Sequence, residues 1–166
     1  MDLSTFLALA LACAPSVHPQ TTRALVDVES GFNPWAIGVV GGALIRQPRH
    51  RAEAMATARA LQASGWNYSV GLGQINVGNF RRLGLTLESA FEPCANLAAM
   101  QAVLVECSGR AIAPFPSTTD QAVLRRTLSC YYSGNFAAGF RHGYVRKVAA
   151  AAARRPDFSP PPKEAP

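Results

Sequence analysis

The sequence predicts one mostly helical α+β domain over residues 1–155, followed by a Pro-rich tail at 156–166. Three observations point there. About half of the 166 residues are apolar and only 16% are charged, enough to bury a core and order most of the chain. Apolar residues recur at helical spacing in several blocks. Between those blocks, stretches at 35–48 and 68–79 combine glycines with β-branched residues and predict a small β element.

The blocks follow in order. Phe6 to Ala14 is apolar enough to pass for a secretory leader core, but Met1-Asp2-Leu3 carries no cation where a leader is positive. It reads instead as a first helix with Leu3, Leu7 and Leu11 on one face. Pro19 suits the first turn of a helix running to Ser30. Leu25, Val28 and Phe32 supply its buried stripe, and Gly31 with Asn33-Pro34 ends it. Residues 35–48 read as a loop or small hairpin, and Arg51 to Ala63 as an amphipathic helix closed by Ser64-Gly65. Tyr68 to Asn79 reads as extended or turning, with helical pattern resuming at 79–83, 86–91, 94–108 and 119–132. Gly109 to Thr119, with Pro114 and Pro116, reads as a connecting loop. Tyr144 to Arg155 forms a last Ala-rich helix, and the prolines after it predict a flexible tail. No apolar run reaches twenty residues, which argues against a spanning helix.

The net charge of +6 fits a polyanionic partner such as a cell-wall polymer, anionic lipid or nucleic acid. Its cations are scattered, apart from Arg46, Arg49 and Arg51 around His50 and the pairs Arg125-Arg126 and Arg154-Arg155. Without a base-reading motif these are taken as solvated surface, and nucleic acid is not expected as a partner. His18, His50 and His142 are too dispersed for a metal site, and nothing implies a cofactor. Trp35 and Trp66 are expected in the core.

The four cysteines lack zinc spacing and form no Cys-x-x-Cys pair. They are either two disulfides of an oxidising compartment or buried thiols. If residues 94–107 form one helix, its rise of 1.5 Å per residue separates Cys94 from Cys107 by about 20 Å, beyond disulfide reach. Bridges would then join 13 to 94 and 107 to 130, or 13 to 107 and 94 to 130.

Glu29 is the residue with the clearest chemistry. It lies one turn beyond Leu25 and beside Val28, on the margin of the apolar stripe, just before the chain leaves its helix. A carboxyl there is partly desolvated, which raises its pKa and keeps it protonated near neutrality, as a general acid for a glycosidic oxygen must be. Ordinary glycoside hydrolases need a second carboxyl across the bond. Asp27 points about 200° around the helix from Glu29, and Glu53 is the only other acid between Glu29 and Leu87. The inventory favours a mechanism with one acid, in which the substrate supplies the nucleophile.

Four segments then occur in a recognisable order. Glu29-Ser30-Gly31-Phe32-Asn33-Pro34-Trp35-Ala36 resembles the Glu-Ser signature of the soluble lytic transglycosylase family. Gly71-Leu72-Gly73-Gln74-Ile75-Asn76 resembles its Gly-Leu-x-Gln-Ile/Met motif, and Glu92-Pro93-Cys94-Ala95-Asn96-Leu97 its Pro-x-x-Asn helix start. Tyr131-Tyr132-Ser133-Gly134 falls where the family has Tyr-Asn-Ala-Gly. Cys13-Ala14-Pro15, the run at 36–42, the segment at 130–135 and Tyr144 to Val148 resemble the branch that accompanies type IV secretion systems.

The resemblance implies a lysozyme-like fold of the goose-lysozyme or transglycosylase type, with the β element beside a cleft. It also implies a periplasmic protein with the first fourteen residues inside the domain. The implied reaction is non-hydrolytic cleavage of peptidoglycan between N-acetylmuramic acid and N-acetylglucosamine, opening the wall for secretion machinery. Glu29 would protonate the leaving oxygen, then take the proton of the muramoyl 6-hydroxyl as that oxygen closes on the anomeric carbon. Ser30 would bond near the acid, Gln74, Ile75 and Asn76 would line sugar subsites, and Tyr131 would orient the developing charge. Tyr132 replaces the family's Asn and leaves that residue's contact in doubt. Gly71 and Gly73 are read also as turn formers, and Asn96 as a cap or core hydrogen-bonding residue. A monomer without stable membrane insertion is expected. Two rivals are a muramidase using water with Glu53 as second acid, and a glycan-binding assembly module of the secretion apparatus.

Overall fold

The computed structural model describes residues 1–112 and 119–154. Its helices are α1 Leu3–Cys13, α2 Pro19–Ser30, α3 Arg51–Ala63, α4 Leu87–Ala90, α5 Pro93–Ile112, α6 Asp120–Ser133, α7 Ala138–Arg141 and α8 Tyr144–Ala153. A three-stranded antiparallel sheet, ordered β1 Ile37–Val39, β2 Tyr68–Val70 and β3 Ile75–Asn76, interrupts them. No helix of the described residues is long and apolar enough to cross a membrane. The tail expected at 156–166 lies outside the described residues.

Local chemistry explains the helix ends. Asp2 caps α1 by accepting from the Thr5 amide at 2.9 Å, which with the Ser4 and Thr5 hydroxyls depresses its pKa. Pro19 opens α2 behind His18, whose ring accepts from the Gln20 amide, and Gly31 closes it at φ 58, a left-handed position that suits glycine. Thr86 and Ser89 form a reciprocal capping box on α4.

Several expectations shift. In α1 the buried face is Phe6, Ala10 and Cys13, while Leu3 and Leu7 flank it and Leu11 stands 60% exposed. The reason is tertiary: Phe6 meets Phe32 edge-on at 5.0 Å, and Cys13 is bonded to Cys94. In α2 the core takes Leu25 with Ala24 and Val26, leaving Val28 and Phe32 only half-buried. Gly109 to Ile112 continue α5 rather than loop, with Ala111 buried, and residues 113–118 of that expected loop lie outside the described residues. The pattern at 79–83 collapses to a 3₁₀ turn at Val77–Asn79, and the short α7 was not expected. The 35–48 segment is no hairpin, because the strand partner of Ile37 is Val70, across the whole of α3. Trp66 is half exposed over Gly42, whereas Trp35 packs against the core as expected.

The helices bind through specific locks. Cys13–Cys94 fastens α1 to the start of α5, and Cys107–Cys130 fastens α5 to α6, the first of the two pairings left open by the sequence. Buried Arg23 of α2 donates to the carbonyls of Ala151 at 2.7 Å and Arg154 at 3.0 Å, satisfying the open end of α8. Asp27 pairs with Arg154 at 2.7 Å on the same contact. These locks fix α2 against α8.

The bridges close loops of 81 and 23 residues, so chain-entropy loss in the unfolded state ranks them. Replacing Cys13 and Cys94 with Ser should cost about 4–5 kcal/mol, and replacing Cys107 and Cys130 about 3–4 kcal/mol. Urea unfolding of the two double variants measures this, and a reversed order would contradict the account.

Candidate active site

Glu29 occupies the last turn of α2 and faces the first residue of α8. The Tyr144 hydroxyl donates a short hydrogen bond to Glu29 Oε1. The side chain is half-buried, and loss of water pushes its pKa up to about 7, with the Tyr144 bond opposing the rise. Burial, followed by the neighbouring Glu29 charge, holds the phenols of Tyr131 and Tyr144 well above their ordinary pKa, so both stay protonated donors.

Five of the other acids among the described residues are paired with arginines. Glu53, the candidate second carboxyl, pairs with Arg46 and accepts from the Arg49 amide at 2.8 Å, which lowers its pKa to about 2. Glu88 and Glu92 each meet an arginine at 3.0 Å, Glu106 meets Arg82, and Asp27 meets Arg154. Among the described residues Glu29 is the one carboxyl with a raised pKa. No metal-binding cluster occurs among those residues.

The loop after β2 is linked to Glu29 through Tyr131, whose phenol bonds Gly73 and feels the Glu29 charge. Gly71 stands at φ +79, and a Cβ there would lie 2.2 Å from Asn96 Nδ2, so both conformation and space demand glycine. Asn96, fully buried on α5, donates to the carbonyls of Val70 at 3.0 Å and Ala90 at 2.8 Å and accepts from the Gly73 amide at 2.7 Å. It is the core hydrogen-bonding residue expected. Tyr131 on α6 donates to the Gly73 carbonyl at 2.5 Å. Residues of α5 and α6 thus hold Gly73 from both its amide and its carbonyl.

Gln74 next to it has φ 50, uncommon for a residue with a side chain and the kind of strain that marks functional loops. Its amide donates to the carbonyls of Gly71 at 2.9 Å and Ala36 at 3.2 Å, tying the loop to β1. Asn76 bonds Asn67 at 2.7 Å and the Gly78 amide at 3.0 Å. Ile75 is buried in the core. Ser30 donates back to the Val26 carbonyl at 3.2 Å within its own helix.

The structure therefore joins Glu29 with Tyr144, which the sequence marked as the start of a helix and of the last family-like segment without assigning it a role. A groove of about 780 Å³ lies elsewhere, between α2, α5 and α6 along Val17, Leu104 and Leu124, and holds none of these residues.

A helical domain whose separate motifs converge on one protonated carboxyl at a helix end is the class defined by this geometry. The chain belongs to the family described as the transglycosylase SLT domain, whose profile matches residues 6–150. It is 51% identical over 152 residues to the type IV secretion system protein virB1 of Brucella abortus and of Brucella suis, covering 89% of this chain and 63% of those relatives. It is 38% identical over 154 residues to protein virB1 of Agrobacterium fabrum, covering 92% of this chain and 61% of that relative. The chain thus spans less than two thirds of the length of these relatives. No solved structure is a significant match.

Two predictions follow from the site. The folded protein keeps the Glu29 proton to about pH 7, whereas the unfolded chain releases it near 4.5, so stability is fully present below 4.5 and declines as pH rises to 7. Glu29→Gln should remove that decline, making the variant more stable than wild type by roughly 3 kcal/mol at pH 8 and not at pH 4. Denaturant titrations at both pH values measure it; equal differences would contradict the burial account. Asn96→Ala strands the Gly73 amide and two carbonyls and should cost on the order of 3 kcal/mol, measured as a lowered unfolding midpoint.

Proposed function

We propose that this protein is a periplasmic peptidoglycan lytic transglycosylase of lysozyme-like fold. It cleaves the β-1,4 bond between N-acetylmuramic acid and N-acetylglucosamine, opening the wall locally for a type IV secretion system. The observation that carries the reading is a single desolvated carboxyl, its pKa raised to about 7, among described residues where five of the other acids are paired with arginines.

The chemistry follows from that inventory. Glu29 donates its proton to the glycosidic oxygen as the bond to the anomeric carbon breaks. The resulting carboxylate keeps the Tyr144 hydroxyl as partner while positive charge develops on the sugar. Among the described residues the candidate second carboxylate, Glu53, is held by Arg46 and is not free to act as nucleophile or to activate water in the ordinary two-acid manner. The muramoyl 6-hydroxyl attacks instead and returns its proton to Glu29. The product is a 1,6-anhydromuramoyl end and the enzyme regains its starting state, with no cofactor. Gln74, Asn76 and Tyr131 line the sugar subsites, Ile75 supports them from the core, and Ser30 steadies the turn carrying Glu29. The protein works as a monomer on glycan strands, beside the secretion components its relatives are named for.

Mass spectrometry of a wall digest tests the reaction: anhydromuropeptides are expected, and reducing ends in their place would establish a muramidase. Glu29→Gln should lower turnover by roughly 10³-fold; secretion assembly untouched by this substitution would favour a binding module. Because Glu29 must begin protonated, kcat/KM should fall about tenfold per pH unit above about 7. Tyr144→Phe removes the bond that opposes the raised pKa, so the alkaline limb should move upward.

A further inference from the structure

Beyond Tyr144 the structure continues outward from the acid as a row of rings. Tyr132 of α6 stacks on Tyr144, with centroids 4.7 Å apart and planes at 23°. Its hydroxyl lies 3.3 Å from His142 Nδ1, and the two rings meet edge-on at 5.9 Å. Tyr132 is 44% exposed and His142 is exposed, so the row runs from the catalytic carboxyl into solvent.

The cations around this row lack a carboxylate partner among the described residues, as Arg49, Arg81 and Arg125 do elsewhere, whereas five other arginines are paired. Arg46, Arg51, Arg59, Arg82 and Arg154 are each neutralised by a carboxylate. Between residues 121 and 154 the sequence contains no Asp or Glu. Arg141, Arg146 and Lys147 are exposed, and no carboxylate among the described residues pairs with them. The Arg146 side chain folds back over Gly143, with Nη2 3.4 Å from where a Cβ on that glycine would lie, which sets its guanidinium beside the turn joining His142 to Tyr144. A positive field beside an aromatic surface, unpaired with any acid of the described residues, suits an anionic substituent on a ligand seated at Glu29.

We infer that Tyr132, His142 and Arg146 form a subsite for the carboxylates of the peptide stems carried by the muramoyl residues, so that the protein distinguishes peptide-bearing from bare glycan. The inference rests on the reading of the Glu29 cleft as a glycan site. Tyr132 supplies the surface against which the stem lies, and Arg146, with His142 when protonated, supplies charge-assisted donors. Arg141 and Lys147 add to the field from either side.

Binding in the Glu29→Gln background tests it without needing turnover. Solubilised glycan strands with intact stems and the same strands stripped by an amidase are titrated against the full chain. Strands with stems should bind roughly five- to tenfold more tightly, the scale of two or three exposed charge pairs. The double variant His142→Ala with Arg146→Ala, and separately Tyr132→Asn, should bring the affinity for stem-bearing strands down to that for bare strands. Arg125→Ala, which removes an exposed charge two turns away along α6, should keep the preference. Equal affinity of the parent for both strands would overturn the inference, as would a loss in the double variant that is the same for both. A wild type that binds with this preference yet yields no cleavage would refute the proposed reaction and leave the subsite standing.

Discussion

A carboxyl can be buried at a helix end only if something answers for the charge it sometimes bears, and here that is the hydroxyl of Tyr144. The contact joins residues 115 positions apart, so it exists only while α2 and α8 stay in register. Desolvation alone would drive Glu29 further from ionisation, whereas full solvation would leave it an ordinary carboxylate. The single donor leaves it near pH 7, where both protonation states are accessible. Arg23 across the end of α8 and Asp27 with Arg154 hold the two helices in place, so buried polar groups of α2 serve the acid indirectly.

The loop after β2 is organised on the same principle from a different centre. Asn96 satisfies the groups left unpaired where β2 gives way to the loop at Gly71, which no strand partner reaches. Cys94, two residues earlier, ties that turn of α5 to α1. The position of the Gln74 loop is therefore linked to the first helix through one disulfide and one buried amide. On α6 Tyr131 and Tyr132 diverge: one phenol is turned inward to Gly73 and one outward to His142.

How much was legible in the chain varies with the range of the interaction that decides each feature. Pro19 and Gly31 marked α2 to within a turn and the Arg51 to Ala63 pattern gave the bounds of α3, because caps and breakers act within one turn. Glu29 and the Gly71 to Asn76 loop were legible from local composition. Leu11 and Trp66 were misjudged because burial depends on what packs against a face: α1 turns toward Phe32 and Cys94, and the Trp66 ring lies over Gly42 at the surface. Tyr144 escaped notice because a tyrosine opening a helix looks the same whether or not an acid waits opposite it.

The sequence by itself determined the helical class, the caps and breaks, the one acid placed at the edge of an apolar stripe, and a restriction of the disulfides to two pairings. Each follows from rules acting over a few residues or from the rise of one helix. Tertiary structure decided which pairing forms, which tyrosine meets the acid, and that Glu53 belongs to Arg46. Those outcomes depend on distances between groups far apart in the chain. Such distances are set when the helices pack, and no spacing along the sequence encodes them.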